Sequence, residues 1–316
     1  MAFVGRGILR HRRVAAGRWR LPGHLSSARS GGAIKNDCSR GERRHRGTQS
    51  QEMSMIRLIG LLTKKSGMNY ADFVDYYEHR HVPLINRIFP GFSAYSRNYV
   101  LPNGQVEGGH IEDTPAAPDF NVVTSLWFSD RAALQAALRA LDQPDIRSAI
   151  IEDENNFIER DRTITFFVDE YATPDANLRG APKGQTGEKM TKMVVMLNRN
   201  PTITVDQMRD YYEGHHSVLA AKYLSMLASY HRNYVISDGS LDTGALESAR
   251  RPEFDAITEI WFRKQEDIQE MIDTLSEPVA AKLFADDEEK ILDRSRIQRF
   301  MVDERVTPAA DIGRGG

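Results

Sequence analysis

The chain has a single cysteine, Cys38, among its 316 residues. Cys38 lies in an Arg-rich leader, so the rest of the chain can form neither a disulfide, a thiolate metal site nor a cysteine nucleophile. No apolar run approaches the ~20 residues that cross a bilayer, and the leader lacks the uninterrupted apolar stretch of a secretory signal. The body contains no Gly-rich phosphate loop, no serine nucleophile elbow and no paired zinc motif. The expectation is a cytoplasmic, soluble protein with no membrane partner, whose chemistry would rest on histidine and carboxylate groups.

Charge is short of one sign in each part of the chain. The formal net charge is −2, but residues 1–52 carry eleven Arg and Lys35 against Asp37, Glu42 and Glu52. The remainder therefore holds 30 basic and 41 acidic residues (42 − 12 and 44 − 3). An acidic body argues against a nucleic-acid or anionic-membrane partner. The leader reads as an organelle transit segment, as a basic tail, or as translated sequence upstream of a true start at Met53 or Met55. The last is favoured because Met55 immediately precedes the first strand, and in all three cases residues 1–52 stand outside the fold.

The body says one thing twice. Tyr76-Tyr77-Glu78, His81, Leu84 and Arg97-Asn98-Tyr99-Val100 return as Tyr211-Tyr212-Glu213, His216, Leu219 and Arg232-Asn233-Tyr234-Val235, displaced by 135 positions (232 − 97). Leu126-Trp127-Phe128 returns as Ile260-Trp261-Phe262, and Phe167-Val168-Asp169-Glu170 as Met301-Val302-Asp303-Glu304, displaced by 134 (261 − 127). One loop indel separates the two shifts. A duplicated domain carries two copies of any site it holds, free to diverge. The expected boundaries are repeat one over 53–175, a linker over 176–189, repeat two over 190–308 and a tail over 309–316.

Each copy reads strand, helix, strand, strand, helix, strand. First strands are expected over 56–62 and 193–197, second over 95–100 and 230–235, third over 120–128 and 254–262, and last over 163–169 and 297–303. Thr204 with Gln207 is close to a capping box, and Asn69 with Asp72 fills the same places. Phe73, Tyr77 and His81 then follow at four-residue spacing, with Pro83 expected to end or bend that helix. Second helices are expected over 131–141 and 266–275. The order βαββαβ gives α+β, ferredoxin-like repeats with helices on one face of an antiparallel sheet. The bare faces of the two sheets would cover each other, forming an intramolecular dimeric α+β barrel. Exposed edge strands would allow a homodimer of this internal pseudo-dimer.

Tyr-Tyr-Glu-x-x-His-x-x-Leu after an apolar strand, a Tyr-bearing second strand, Trp-Phe on the third, an Asp-Glu pair and a closing Val-Asp-Glu resemble the EthD family of the dimeric α+β barrel superfamily. The resemblance covers about residues 56–171 and 192–305. It implies relatives that accompany ether degradation, and others that resemble cofactor-free decarboxylases and dehydratases of aromatic polyketides. It also implies that His81 and His216 are the motif histidines, and that Glu259 occupies a carboxylate position the family often carries.

The residues themselves allow a proton-transfer site. A histidine near a helix C-terminus can exchange a proton near neutral pH. Alternation sends Asp255, Ile257, Glu259 and Trp261 to one face of the third strand, the better candidate for the barrel interior. Copy one has Asn121, Val123, Ser125 and Trp127 there. A carboxylate in an apolar barrel would have a raised pKa, fit for general acid or base work; Ser125 suggests that one site has degenerated or specialised. Trp127, Trp261, Tyr99, Tyr234, Asn98, Asn233, Asp255, His231, Tyr77 and Tyr212 are the candidate substrate contacts. The Arg97/Arg232 pair looks exposed by alternation, with a structural salt bridge the stronger reading. His215, His216, His231, Asp255 and Glu259 gather in copy two alone, although the divergent directions of His215 and His216 argue against a three-histidine metal site. The expectation is a cofactor-independent lyase (decarboxylase, dehydratase or C–C cleaving) on an aromatic or hydrophobic small molecule, with His216, Glu259 and His81 catalytic. The alternatives are a cofactor-free or haem-dependent oxygenase and a non-catalytic small-molecule binding module.

Overall fold

The structure, a computed structural model, describes residues 55–111, 117–178, 189–236 and 249–313. The leader, most of the expected linker and most of the loop over 236–253 lie outside the described residues. The strands are β1 (Ile56–Leu62), β2 (Phe92–Gln105), β3 (Val122–Phe128) and β4 (Ile164–Ala172) in repeat one. Repeat two supplies β5 (Thr191–Leu197), β6 (Leu227–Val235), β7 (Ala256–Phe262) and β8 (Gln298–Val306).

They form one closed barrel in the order β1-β3-β2-β8-β5-β7-β6-β4. Within repeat one the order is 4-1-3-2 and within repeat two 8-5-7-6, every pair antiparallel. The repeats join where β2 meets β8, from Ser96↔Val306 to Val100↔Val302, and where β4 meets β6, from Val168↔Val235 to Ala172↔His231. This corrects the expectation of two separate ferredoxin-like βαββαβ sheets covering each other face to face. The sheet edges pair instead, which satisfies backbone groups that open edges would leave bare. The described barrel has no free strand edge for a second copy, so self-association would need another surface.

Alternation decides what lies inside. Ile59, Leu61, Val123, Phe166, Val194, Ile257, Phe300 and Val302 point inward and pack together. Their neighbours in sequence face outward and pack under the helices, forming a second core in repeat one around Phe73, Tyr77, Tyr99 and Phe157. The matching core in repeat two holds Met208, Tyr212, Tyr234 and Phe284.

Over repeat one lie α1 (Tyr70–Tyr76), a π-helical turn (Tyr77–His81) and α2 (Val82–Ile88). Later come α3 (Arg131–Leu141) and α4 (Pro144–Glu154). Repeat two matches them with α5 (Val205–Tyr211), a π-helical turn (Tyr212–His216), α6 (Ser217–Tyr223), α7 (Glu266–Ser276) and α8 (Pro278–Glu288). Thr204 and Gln207 do form a capping box, and Asn69 accepts from the Asp72 amide.

Two helical expectations change. The first helix neither stops nor breaks at Pro83; it widens into a π turn and continues to Ile88. Proline is not the cause, because Val218 follows the same π turn in repeat two. Helices α4 and α8 were not expected: α4 buries only Ile150, too little for a periodic apolar stripe, and its proline start was the one local signal.

Candidate active sites between the helices and the barrel wall

Each repeat holds a cavity on the outer face of the sheet, beneath the helices. Cavity one, about 140 Å³, is walled by Leu58, Leu62, Ile85, Phe89, Leu126 and Ile150, with His81, Tyr77, Tyr95, Thr124, Glu154 and Thr165 as its polar groups. Cavity two, about 70 Å³, presents His216, Tyr212, Tyr230, Thr258, Glu288, Arg299 and His110. An engineered apolar cavity of ~150 Å³ holds benzene. Cavity one is therefore the size of a single aromatic ring, and cavity two about half that.

The π turns place the histidines. His81 ends the first and His216 the second, each wedged between aromatic rings: His81 lies 4.9 Å from Tyr77 and 5.0 Å from Phe157, and His216 4.4 Å from Tyr212. Such turns recur at functional sites. His81 Nδ1 lies 2.6 Å from Asp153 Oδ2, and His216 Nδ1 2.9 Å from Asp287 Oδ2. Tyr76 Oη donates to Asp153 (3.1 Å) and Tyr211 Oη to Asp287 (2.8 Å), so each aspartate is itself held. Burial pushes the Asp287 carboxyl up, but hydrogen bonds from His216 and Tyr211 outweigh it and hold it below the usual range. A carboxylate on Nδ1 fixes the Nδ1–H tautomer and leaves Nε2 as the basic nitrogen.

Asp153 and Asp287 come from the two unexpected helices. Their signal in the sequence was the Asp-Glu pair that recurs at the repeat shift, Asp153-Glu154 and Asp287-Glu288. The second Tyr of each motif, Tyr77 and Tyr212, stays on a cavity wall, and the Glu braces the sheet behind it. Tyr77 and Tyr212 join the phenols of Tyr95 (3.3 Å) and Tyr230 (2.9 Å), and burial pushes the Tyr212 hydroxyl up to about 12, so it stays protonated. Glu78 takes Arg97 at 3.0 and 2.7 Å and Tyr99 at 2.7 Å; Glu213 takes Arg232 and Tyr234 likewise. Arg97 and Arg232 are thus buried, not exposed, and serve as structural bridges.

The other expected residues lie elsewhere. Glu259 is 1% exposed, but in the barrel interior, on the opposite side of the sheet from His216. Its Oε2 accepts from Arg57 Nη1 at 2.6 Å and its Oε1 from Lys192 Nζ at 2.7 Å. Burial alone would push this carboxyl up; the charges of Arg57 and Lys192 outweigh it and hold Glu259 well below the usual range. The expected raised carboxyl is reversed. Ser125, its counterpart, accepts from Arg57 Nη2 at 2.9 Å. One carboxylate thus serves the cations of both repeats, and Ser125 fits that balance without any lost site.

Asn98 and Asn233 are also interior, bonded to the Val123 and Ile257 carbonyls at 3.2 and 3.1 Å. Trp127 and Trp261 donate to Glu170 (2.8 Å) and Glu304 (2.7 Å), under Arg57 and Lys192 respectively. His231 bonds Glu170 at 2.9 Å, and Asp255 accepts from the Arg199 amide at 2.9 Å. Neither lines cavity one or cavity two. His215 stacks on Tyr211 at 4.5 Å. His231 and Glu259 lie opposite each other on β6 and β7 and share the Arg57 network, but the five copy-two residues do not gather at one site, and among the described residues no group of three His, Cys, Asp or Glu could hold a metal ion. No described helix is long and apolar enough to cross a membrane.

Comparison with known proteins agrees with this architecture. An anthrone oxidase-like protein superposes with a TM-score of 0.51 at 8% identity, covering 81% of this chain and 94% of that one. Chlorite dismutase from Candidatus Nitrospira defluvii in complex with imidazole gives 0.40 at 10% identity, covering 83% and 94%. At 8% identity the first likeness concerns fold alone, and nothing rests on the second. No curated protein matches the chain. The EthD domain matches twice, over residues 65–161 and 200–295. With most of the chain so matched, and both copies folded into one α+β barrel, this is a tandem member of the EthD domain family.

Proposed function

We propose that this protein is a small-molecule-processing enzyme that moves protons at two helix-walled cavities, one per repeat. The carrying observation is the His–Asp pair opening on an apolar cavity in each: His81 with Asp153, His216 with Asp287. Nε2 takes a proton from the bound molecule, or returns one to it, while the aspartate stabilises the imidazolium. The apolar walls exclude water and favour an aromatic or otherwise hydrophobic substrate. Exchanging the carboxyl of a hydroxybenzoic acid for a proton, or losing water from a partly saturated ring, needs little beyond such a transfer, because the ring takes up the electrons; this supports a cofactor-independent lyase. Glu259 has no part in it, being ionised and on the far side of the sheet.

An oxygenase is the second reading. The same histidine could deprotonate a phenol or anthrone whose carbanion then meets oxygen, and the likeness to an anthrone oxidase-like protein motivates the comparison. A haem fits neither cavity, since about 140 and 70 Å³ accommodate a single ring at most.

The test is a panel of phenols and hydroxybenzoic acids followed for CO2 release, water loss and O2 uptake. Turnover is expected to fall by about 10²–10⁴-fold when His81→Ala and His216→Ala are combined. Turnover that survives the double variant overturns the reading, and binding without turnover by the wild type would make the protein a carrier.

A further inference from the structure

The two cavities differ most at one wall position. Thr165 on β4 faces cavity one; its counterpart on β8, by the shift of 134, is Arg299 (299 − 165). Arg299 is 5% exposed, and among the described residues its Nε has no hydrogen-bond partner. Its Nη2 donates to the Gly108 carbonyl at 3.0 Å. The contrast with the other buried arginines is sharp: Arg57 sits on Glu259 and Glu170, Arg97 on Glu78 and Arg232 on Glu213. Arg299 alone among them forms no ion pair among the described residues. Glu288 in the same wall acts on its charge from beyond ion-pair distance; a buried guanidinium without a direct counter-ion is costly, and it cannot escape by losing its proton.

The surroundings are built rather than incidental. Past β2 the chain bends back through Gly108 (φ 91°) and Gly109 (φ 76°), a conformation that L side chains rarely adopt. Val106 and Ile111 thereby enter the core of repeat two, and His110 reaches cavity two from repeat one. His110 Nε2 lies 2.7 Å from Glu288 Oε1, while Arg294 Nε holds Glu288 Oε2 at 3.2 Å. The carboxylate in the cavity wall is therefore already neutralised. Among the described residues His110 Nδ1, like Arg299 Nε, is buried without a partner. Two residues with an unpartnered nitrogen thus line one small apolar cavity, which Met193 and Met271 line with adaptable side chains.

We propose that cavity two is a carboxylate subsite: Arg299 takes the anionic head group of a small apolar acid, and His110 donates to it when protonated. Cavity one, with Thr165 in that place, takes the neutral ring compound instead. The duplicated sites have then diverged in ligand charge and size, so one repeat handles a short acid and the other a neutral ring. This rests on reading the cavity at His216 as a ligand site.

Propionate, short enough for a cavity of about 70 Å³, and phenol, a neutral ring that matches cavity one, are the probes. Propionate is expected to bind the full chain and to weaken by about tenfold or more in Arg299→Thr, the scale of a lost charge-assisted hydrogen bond; phenol binding should be unchanged. Independently of any folding defect in that variant, the Nε–H resonance of Arg299 in the wild type, assigned by its absence in Arg299→Lys, should shift as propionate saturates. Equal propionate affinity in Arg299→Thr, or an Nε–H resonance that stays in place, overturns the subsite. These are binding readouts, so propionate binding in a protein that turns nothing over would remove the proton-transfer reading and leave the subsite standing.

Discussion

Arg57 of repeat one lies 2.6 Å from Glu259 of repeat two, both side chains 2% exposed, and so ties the two halves together through the barrel interior. Lys192 holds the other oxygen of the same carboxylate at 2.7 Å. Removing that carboxyl takes the fully buried partner from two buried cations at once, leaving Arg57 with Glu170 and Lys192 with Glu304, both part-exposed. Glu259→Ala should cost about 3–5 kcal/mol in urea unfolding, whereas Ser125→Ala, which removes one hydrogen bond, should cost ~1 kcal/mol. A loss near 1 kcal/mol for Glu259→Ala would mean that water reaches the pair.

The same group sets a pH dependence. The folded-state pKa of Glu259 is depressed below its ordinary 4.5, so its contribution is present above that value and is lost as pH falls below it. Asp287 and Glu170 are shifted the same way, Asp287 by His216 and Tyr211 against its burial, Glu170 by His231, Arg57 and Trp127 against its own. Urea midpoints should hold steady from pH 7 to about 5 and then fall steeply below about 4.5. A flat profile down to pH 3 would show that these carboxylates gain nothing from folding.

Asp287→Asn keeps the shape of the pair while removing its charge, and lets the imidazole take the other tautomer. Turnover at cavity two should drop by about 10²-fold or more, with ligand affinity little altered. Asp153→Asn should do the same at cavity one, so each aspartate can be read against the histidine it holds.

Tyr211→Phe removes the hydrogen bond to Asp287 Oδ1 and nothing else that the cavity touches. Stability should fall by about 0.5–1.5 kcal/mol. Activity should fall by less than in Asp287→Asn, since the carboxylate still reaches His216.

Much of this was legible in the chain. A shift of 134–135 residues exposes the duplication, and the apolar runs over 56–62 and the third strands mark the barrel staves. Alternation also placed Ile257 and Glu259 inside the barrel correctly. What it could not say is which side of the wall carries a cavity: Thr258 and Ile260, on the face set aside, line cavity two. The charge state of Glu259 was equally hidden, because Arg57 and Lys192 lie 202 and 67 positions away. Burial without sight of those cations predicts the wrong direction. Asp153 and Asp287 were missed with their helices, each of which sets only two apolar residues at helical spacing on the core, Ile146 with Ile150 and Ala280 with Phe284.

The most direct measurement is a crystal structure of the full chain soaked with phenol, a neutral ring that matches cavity one. Phenol is expected beneath the helices of repeat one with its hydroxyl on His81 Nε2, and His81→Ala should abolish that density. Phenol bound instead inside the barrel beside Glu259, or present unchanged in His81→Ala, would contradict the assignment of the reactive sites to the outer face of the sheet.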